Sequence, residues 1–69
     1  MRYYVTDSNY IPLHEQRPDG YTKLQAIDRV QREMKECIEF FGGEMEDYKS
    51  WFHVVDTNFN VIVELEKAF

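Results

Sequence analysis

The residues able to do chemistry are few and scattered along the chain. His14 beside Glu15, and His53 three residues before Asp56, could bring imidazole and carboxylate together across a sheet, but two histidines so far apart lack a metal-ligand spacing. Cys37 is the only cysteine. It falls in the last turn of a helix, where the dipole opposes a thiolate and Glu33 and Glu36 add like charge, so it reads as an inert thiol, buried or half-buried. Ser8 and Ser50 have no histidine placed to activate them. Gly42-Gly43 is the only glycine pair, so neither a Gly-x-Gly-x-x-Gly turn nor a Gly-Lys-Ser/Thr phosphate loop is present. These observations predict no enzyme, no metal and no cofactor.

The elements that must position these residues come from one domain, 1–69, since 69 residues suffice for no more. Leu24, Ile27, Val30, Met34, Ile38 and Phe41 recur at helical spacing and predict one amphipathic helix over residues 22–41. Thr22 followed three residues later by Gln25 is a capping-box pattern, and Gly42-Gly43 marks the other end. The outward face offers opposite charges four apart at Asp28 and Arg32, Arg29 and Glu33, Arg32 and Glu36, and Lys35 and Glu39, which reads as a solvated face.

Two segments of similar grammar flank the helix. Tyr3-Tyr4-Val5-Thr6 leads through Asp7-Ser8-Asn9-Tyr10 to Ile11-Pro12-Leu13; Trp51-Phe52-His53-Val54-Val55 leads through Asp56-Thr57-Asn58-Phe59-Asn60 to Val61-Ile62-Val63-Glu64-Leu65. Each reads as a hairpin around a polar turn in which Asp and Asn bond their own backbone. The shared Asp-Ser/Thr-Asn-Tyr/Phe is read as turn chemistry. Pro12 cannot donate to a central ladder, so the strand at residues 11–15 belongs at an edge or is irregular. The expected fold is α+β: a small antiparallel sheet in ββαββ order, or βαββ if that second strand fails, with one amphipathic helix packed on one face. Residues 44–49 form an acidic connector.

Four strands at about 4.8 Å spacing make a sheet about 19 Å wide, whereas one helix is roughly 10 to 12 Å across. One face is then incompletely covered and the other has no second layer. Eleven aromatic residues exceed what such a core can hide. Phase on the last strand puts Val61, Val63 and Leu65 inward, and Phe40, Tyr10, Tyr21, Phe59 and Phe69 fall off the helix stripe or in turns and the terminus.

Net charge is −5 with a pI of about 4.8, which disfavours direct binding of nucleic acid. Charge is also uneven. Residues 1–35 carry six basic and five acidic side chains, and residues 36–69 carry two basic and eight acidic. Glu36, Glu39, Glu44, Glu46 and Asp47 gather around the helix end, against the preference of a helix C-terminus for cations, and point to a basic partner. No apolar run is long enough for a secretory signal or a membrane span, and a lone thiol suits a reducing compartment, so the expected location is the cytoplasm without membrane contact.

The functional reading is a small acidic protein-interaction module, an inhibitor that occludes a basic, nucleic-acid-binding surface of a larger protein. The candidate partner-binding residues are Glu36, Glu39, Phe40, Glu44, Glu46, Asp47, Tyr48 and Trp51. In size and acidity the chain is similar to many phage-encoded antagonists of bacterial defence, anti-CRISPR proteins among them; the likeness covers no motif and assigns no residue a role. The alternative is a homo-oligomer, a homodimer through the open sheet face, that binds or sequesters a small ligand.

Overall fold

The structure, a computed structural model, describes residues 2–14 and 18–67. Strand β1 (Tyr4–Asp7) is followed by helix α1 (Lys23–Phe41), a 3-10 helix (Met45–Trp51), strand β2 (Phe52–Val55) and a single-turn helix α2 (Val63–Glu66). Among the described residues the sheet has two strands, not four. β1 pairs antiparallel with β2, with Tyr4 opposite Val55, Val5 opposite Val54, Thr6 opposite His53 and Asp7 opposite Phe52.

Both expected hairpins turn where the sequence places them, but their return strands stop at single bridges, Thr6 with Pro12 and Val55 with Val61. The expected ββαββ and βαββ orders are therefore incorrect. Pro12 has no N–H to extend the first ladder, and its last ladder bond is from the Leu13 N–H to the Val5 carbonyl at 3.1 Å. Glu15 lies outside the described residues. In the second hairpin the chain leaves the ladder after the Ile62 N–H donates to the Val54 carbonyl at 2.9 Å. Glu64, Leu65, Glu66 and Lys67 are good helix formers, and spacing of three brings Ile62 and Leu65 onto the core, so residues expected as strand coil into α2 instead. Val63, expected inside, is exposed, while Leu65 is buried as expected.

The two hairpin segments share one local geometry. Asp7 accepts from the backbone N–H groups of Asn9 (2.8 Å) and Ile11 (3.0 Å), and Asp56 accepts from those of Asn58 (2.8 Å) and Asn60 (3.0 Å). Tyr10 and Phe59 both have φ of 63°. Val5 pairs with its own counterpart Val54, and the pair Tyr4–Val55 corresponds to Thr6–His53, so a local two-fold axis passes between the central valines.

One face of the ribbon, with Val5, Phe52 and Val54, packs with Tyr21, Ala26, Val30, Met34, Tyr48 and Leu65 to form the core. The other face is not open either. Thr6 and Val55, one step along each strand and so on the opposite side, are wholly buried. On that side the Tyr10 ring stacks on His53, with centroids 4.7 Å apart and planes at 8°, and His53 Nδ1 lies 2.7 Å from a Glu66 carboxylate oxygen. A two-strand ribbon is narrow enough for neighbouring segments to enclose Thr6 and Val55 on its second face.

Helix α1 begins as its sequence indicates. Thr22 accepts from the Gln25 N–H at 3.3 Å and the Gln25 side chain accepts from the Thr22 N–H at 3.0 Å. Its buried line is Ala26, Val30 and Met34, flanked by Ile27, Cys37 and Ile38. Leu24 lies to the side of that line and is exposed. Tyr21, expected in an exposed turn, is buried and exchanges backbone hydrogen bonds with Tyr3. Arg29, expected on the solvated face, is half-buried. Its guanidinium donates to Glu33, to the Tyr21 hydroxyl (3.2 Å) and to the His14 carbonyl (2.7 Å), tying α1 to the segment before it. Arg29 with Glu33 is the one of the four expected helix-face pairs that closes as an ion pair among the described residues.

Two predictions follow from the paired turns. A bulky residue at positive φ is strained, whereas Asn adopts this region readily. Phe59→Asn is expected to leave stability unchanged or raised, while Tyr10→Asn, which also loses the stack on His53, is expected to lower it by about 1 kcal/mol in urea unfolding. Equal losses in both variants would refute the assignment of a packing role to Tyr10 alone. The Asn60 N–H above all, with the Asn58 N–H and the Asn60 side chain, holds the Asp56 carboxyl below its ordinary value of about 3.8. Its contribution is therefore complete above that value and is lost as pH falls through the lower folded value. The stability difference between the natural chain and Asp56→Asn is expected to shrink below about pH 4, and a difference constant with pH would contradict this.

Candidate interaction surface

The candidate surface is built where α1 ends and the chain doubles back. The Gly42 N–H donates to the Ile38 carbonyl at 2.8 Å, with Gly42 at φ 77° and Gly43 at φ 89°. A Cβ on Gly43 would stand 2.8 Å from an Asp47 carboxylate oxygen and would displace it, and the positive φ itself favours glycine. That Asp47 oxygen accepts from the Glu44 N–H at 2.8 Å, and the Asp47 N–H donates to the Glu44 carbonyl at 3.0 Å. These bonds start the 3-10 helix, so the segment expected as a plain acidic connector is an ordered element.

Its spacing of three residues per turn aligns Met45, Tyr48 and Trp51 on one side. Met45 packs against the core, Tyr48 is 5% exposed and Trp51 is 44% exposed. The Tyr48 hydroxyl donates to the Gly42 carbonyl, which binds the 3-10 helix to the end of α1. Burial pushes the Tyr48 phenol above its ordinary value, with Cys37 and Asp47 adding like charge. Tyr48 is thus a core residue that supports the surface, and its expected place among exposed partner-binding aromatics is corrected.

Trp51 meets the edge of Tyr48 at 4.9 Å and 82°, and faces Phe41 at 6.2 Å with planes 52° apart. Phe41 was expected in the buried stripe of α1. It lies on that line, one turn beyond Cys37, but its neighbour there is Trp51 and it remains 73% exposed. Phe40 beside it is 81% exposed. The aromatic contribution to this surface is therefore Phe40, Phe41 and Trp51. Sequence reasoning missed Phe41 because helical phase alone does not reveal where the core ends; the adjacent Gly42 was the available signal.

Glu36, Glu39, Glu44, Glu46 and Asp47 are all exposed; helical phase puts Glu36 and Glu39 on the side of α1 away from Phe41, and Glu44, Glu46 and Asp47 lie at the start of the 3-10 helix. Glu46 pairs with Lys49 at 3.3 Å, both well exposed, an interaction worth little by itself. The last turn of α1 carries no basic residue to complement its carbonyl end. Cys37 is half-buried against the core, and burial first, then Glu33 and Glu36, raises its thiol above the ordinary value, consistent with the inert thiol expected from sequence.

The other chemistry-bearing residues do not converge. His14 is exposed, and its carbonyl accepts from Arg29. His53 meets Glu66 rather than Asp56, whose oxygens cap its own turn. Among the described residues no three His, Cys, Asp or Glu side chains are grouped to hold a metal ion, and no helix is long and apolar enough to cross a membrane. No family model matches the sequence, and no curated protein or solved structure is significantly similar to it.

Tyr48→Phe keeps the ring and removes the bond to Gly42. It is expected to lower unfolding stability by about 1 kcal/mol in urea titration, with the Gly42 carbonyl left to find water. Unchanged stability would show that the hydroxyl does not fasten the 3-10 helix to α1.

Proposed function

We propose that this chain is a small acidic interaction module that binds a basic surface of a larger protein and, by occupying it, excludes nucleic acid. The observation that carries the reading is the exposure of Phe40, Phe41 and Trp51 in the same stretch of chain, residues 36–51, as the exposed carboxylates Glu36, Glu39, Glu44, Glu46 and Asp47. Large exposed aromatics in a setting of one charge sign suit a partner interface better than they suit solubility alone. In this mechanism the carboxylates and the carbonyl end of α1 steer the encounter, and the aromatic side chains hold the complex by burying apolar area. A cation-rich groove that ordinarily neutralises phosphates offers the complementary charge.

The experiment is capture from cell lysate on tagged protein at low and high salt, followed by competition between the chain and nucleic acid for each retained protein. A basic protein that salt releases, and whose nucleic-acid binding the chain displaces, is the expected result. Glu36, Glu39 and Glu46 reversed together to lysine should weaken that displacement at least tenfold without loss of helical circular dichroism. Asp47 is left intact in this variant because it caps the 3-10 helix. Displacement unaffected by the charge reversal, or a partner that binds without competing with nucleic acid, would overturn the reading.

A further inference from the structure

We infer that α2 is a pH-sensitive latch, closed by contact of its Glu66 carboxylate with a protonated His53 and loosened when the imidazole loses its proton. The latch acts on a different part of the chain from the proposed partner surface and does not depend on that reading. Three elements meet at this one imidazole. His53 is the second residue of β2, Glu66 the last of α2, and Tyr10 the residue at positive φ in the first turn. Nδ1 of His53 lies 2.7 Å from a Glu66 carboxylate oxygen, and the two side chains are 22% and 24% exposed. The Tyr10 ring lies flat on the imidazole, with centroids 4.7 Å apart and planes at 8°. Across the ladder stands Thr6, uncharged and wholly buried. The Asp7 carboxylate of the Tyr10 turn is engaged by the Asn9 and Ile11 N–H groups, and Glu64 and Lys67 are exposed. The ion pairs that α1 and the 3-10 helix carry, Arg29 with Glu33 and Lys49 with Glu46, do not involve His53.

Both neighbours of His53 suit an imidazolium better than a neutral ring. A neutral imidazole can still donate to Glu66, but the imidazolium adds the attraction of an opposite charge in a site partly withdrawn from water. The face of a phenol ring attracts a cation as well. Protonation therefore draws α2 onto β2 and holds the Tyr10 turn against the same ring. The rest of the attachment of this segment is slight: one turn of helix, a bridge at Val61, the Ile62 N–H on the Val54 carbonyl, and Leu65 in the core. One charged contact is thus a large share of what closes it. The contact is complete where the carboxylate is ionised and the imidazole protonated. It weakens as pH rises through the range in which imidazole titrates, ordinarily about 6.5.

The test is amide solvent exchange in the full chain, read by NMR at about pH 5.5 and about pH 8, each rate divided by that of the unstructured sequence at the same pH. On that scale the Leu65, Glu66 and Lys67 amides, which bond the Ile62 and Val63 carbonyls, are expected to exchange about fivefold faster at the higher pH. They should also exchange faster than the Val30 and Met34 amides of α1 at both values, because the latch opens without the rest of the fold. Glu66→Gln keeps the length of the side chain and an acceptor oxygen but removes the charge. It is expected to abolish the pH difference, with exchange at the lower pH already as fast as that of the natural chain at the higher. His14→Gln, which replaces the exposed histidine, should leave the difference in place. Exchange of residues 65–67 that is the same at both pH values in the natural chain would overturn the latch, and so would a pH difference that survives Glu66→Gln or disappears in His14→Gln. Exchange of these amides no faster than that of Val30 and Met34 would show that α2 opens only when the whole chain unfolds, and would overturn it too.

Discussion

A two-stranded ribbon of four residues per strand cannot hold together alone in water, and that constraint governs the rest of this chain. Val5 and Val54 sit at its centre, wholly buried, and each remaining element removes another part of it from solvent. Helix α1 covers one face through Ala26, Val30 and Met34, and Leu65 of α2 and Tyr48 of the 3-10 helix complete that core. Thr6 and Val55 are enclosed on the opposite face. Every helix is committed to this task over part of its length, and the end of α1 beyond Ile38 is where that commitment stops. Phe41 is exposed for that reason and Phe40 because it lies off the buried line, and the 3-10 helix returns alongside Phe41 because Tyr48 is drawn into the core and bonds Gly42.

The ribbon also carries its own local symmetry. Two eleven-residue segments, 3–13 and 52–62, use an Asp carboxylate to gather backbone N–H groups, an aromatic at φ 63° to reverse the chain, and one bridge to return. Their flanks then diverge. The first continues from an exposed His14 toward α1, whereas the second coils at once into α2, and among the described residues only the first turn places its aromatic on a neighbouring ring.

The local rules were legible in the sequence and the long-range ones were not. Thr22 and Gln25 announced the start of α1, Gly42 and Gly43 its end, and Asp7 and Asp56 their turns, because each acts on backbone within four residues. Strand length was not legible. Residues 61–65 alternate as a strand does, yet Ile62 and Leu65 also suit a turn of helix, and contact with the core decided between them. Tyr48 and Phe41 exchanged expected roles for the same reason: spacing of three through Met45, Tyr48 and Trp51 carried the 3-10 helix, but which ring it buries depends on where α1 runs out of sheet to cover. The exposure of the acidic residues of the candidate surface was legible, as solvated charge needs no tertiary partner; the contact of Phe41 with Trp51 was not.

The surface proposed to meet a partner is the end of α1 with the adjoining 3-10 helix, rather than the ribbon turns with their exposed Tyr10 and Phe59. The most direct measurement is two-dimensional amide NMR of the isotopically labelled chain, titrated with the basic protein recovered by capture. The expected result is that shifts and line broadening concentrate between Glu36 and Trp51, including the Trp51 indole N–H, while the two Asp-capped turns hold their positions. Perturbations centred on Tyr10 or Phe59, with residues 36–51 unmoved, would contradict the claim.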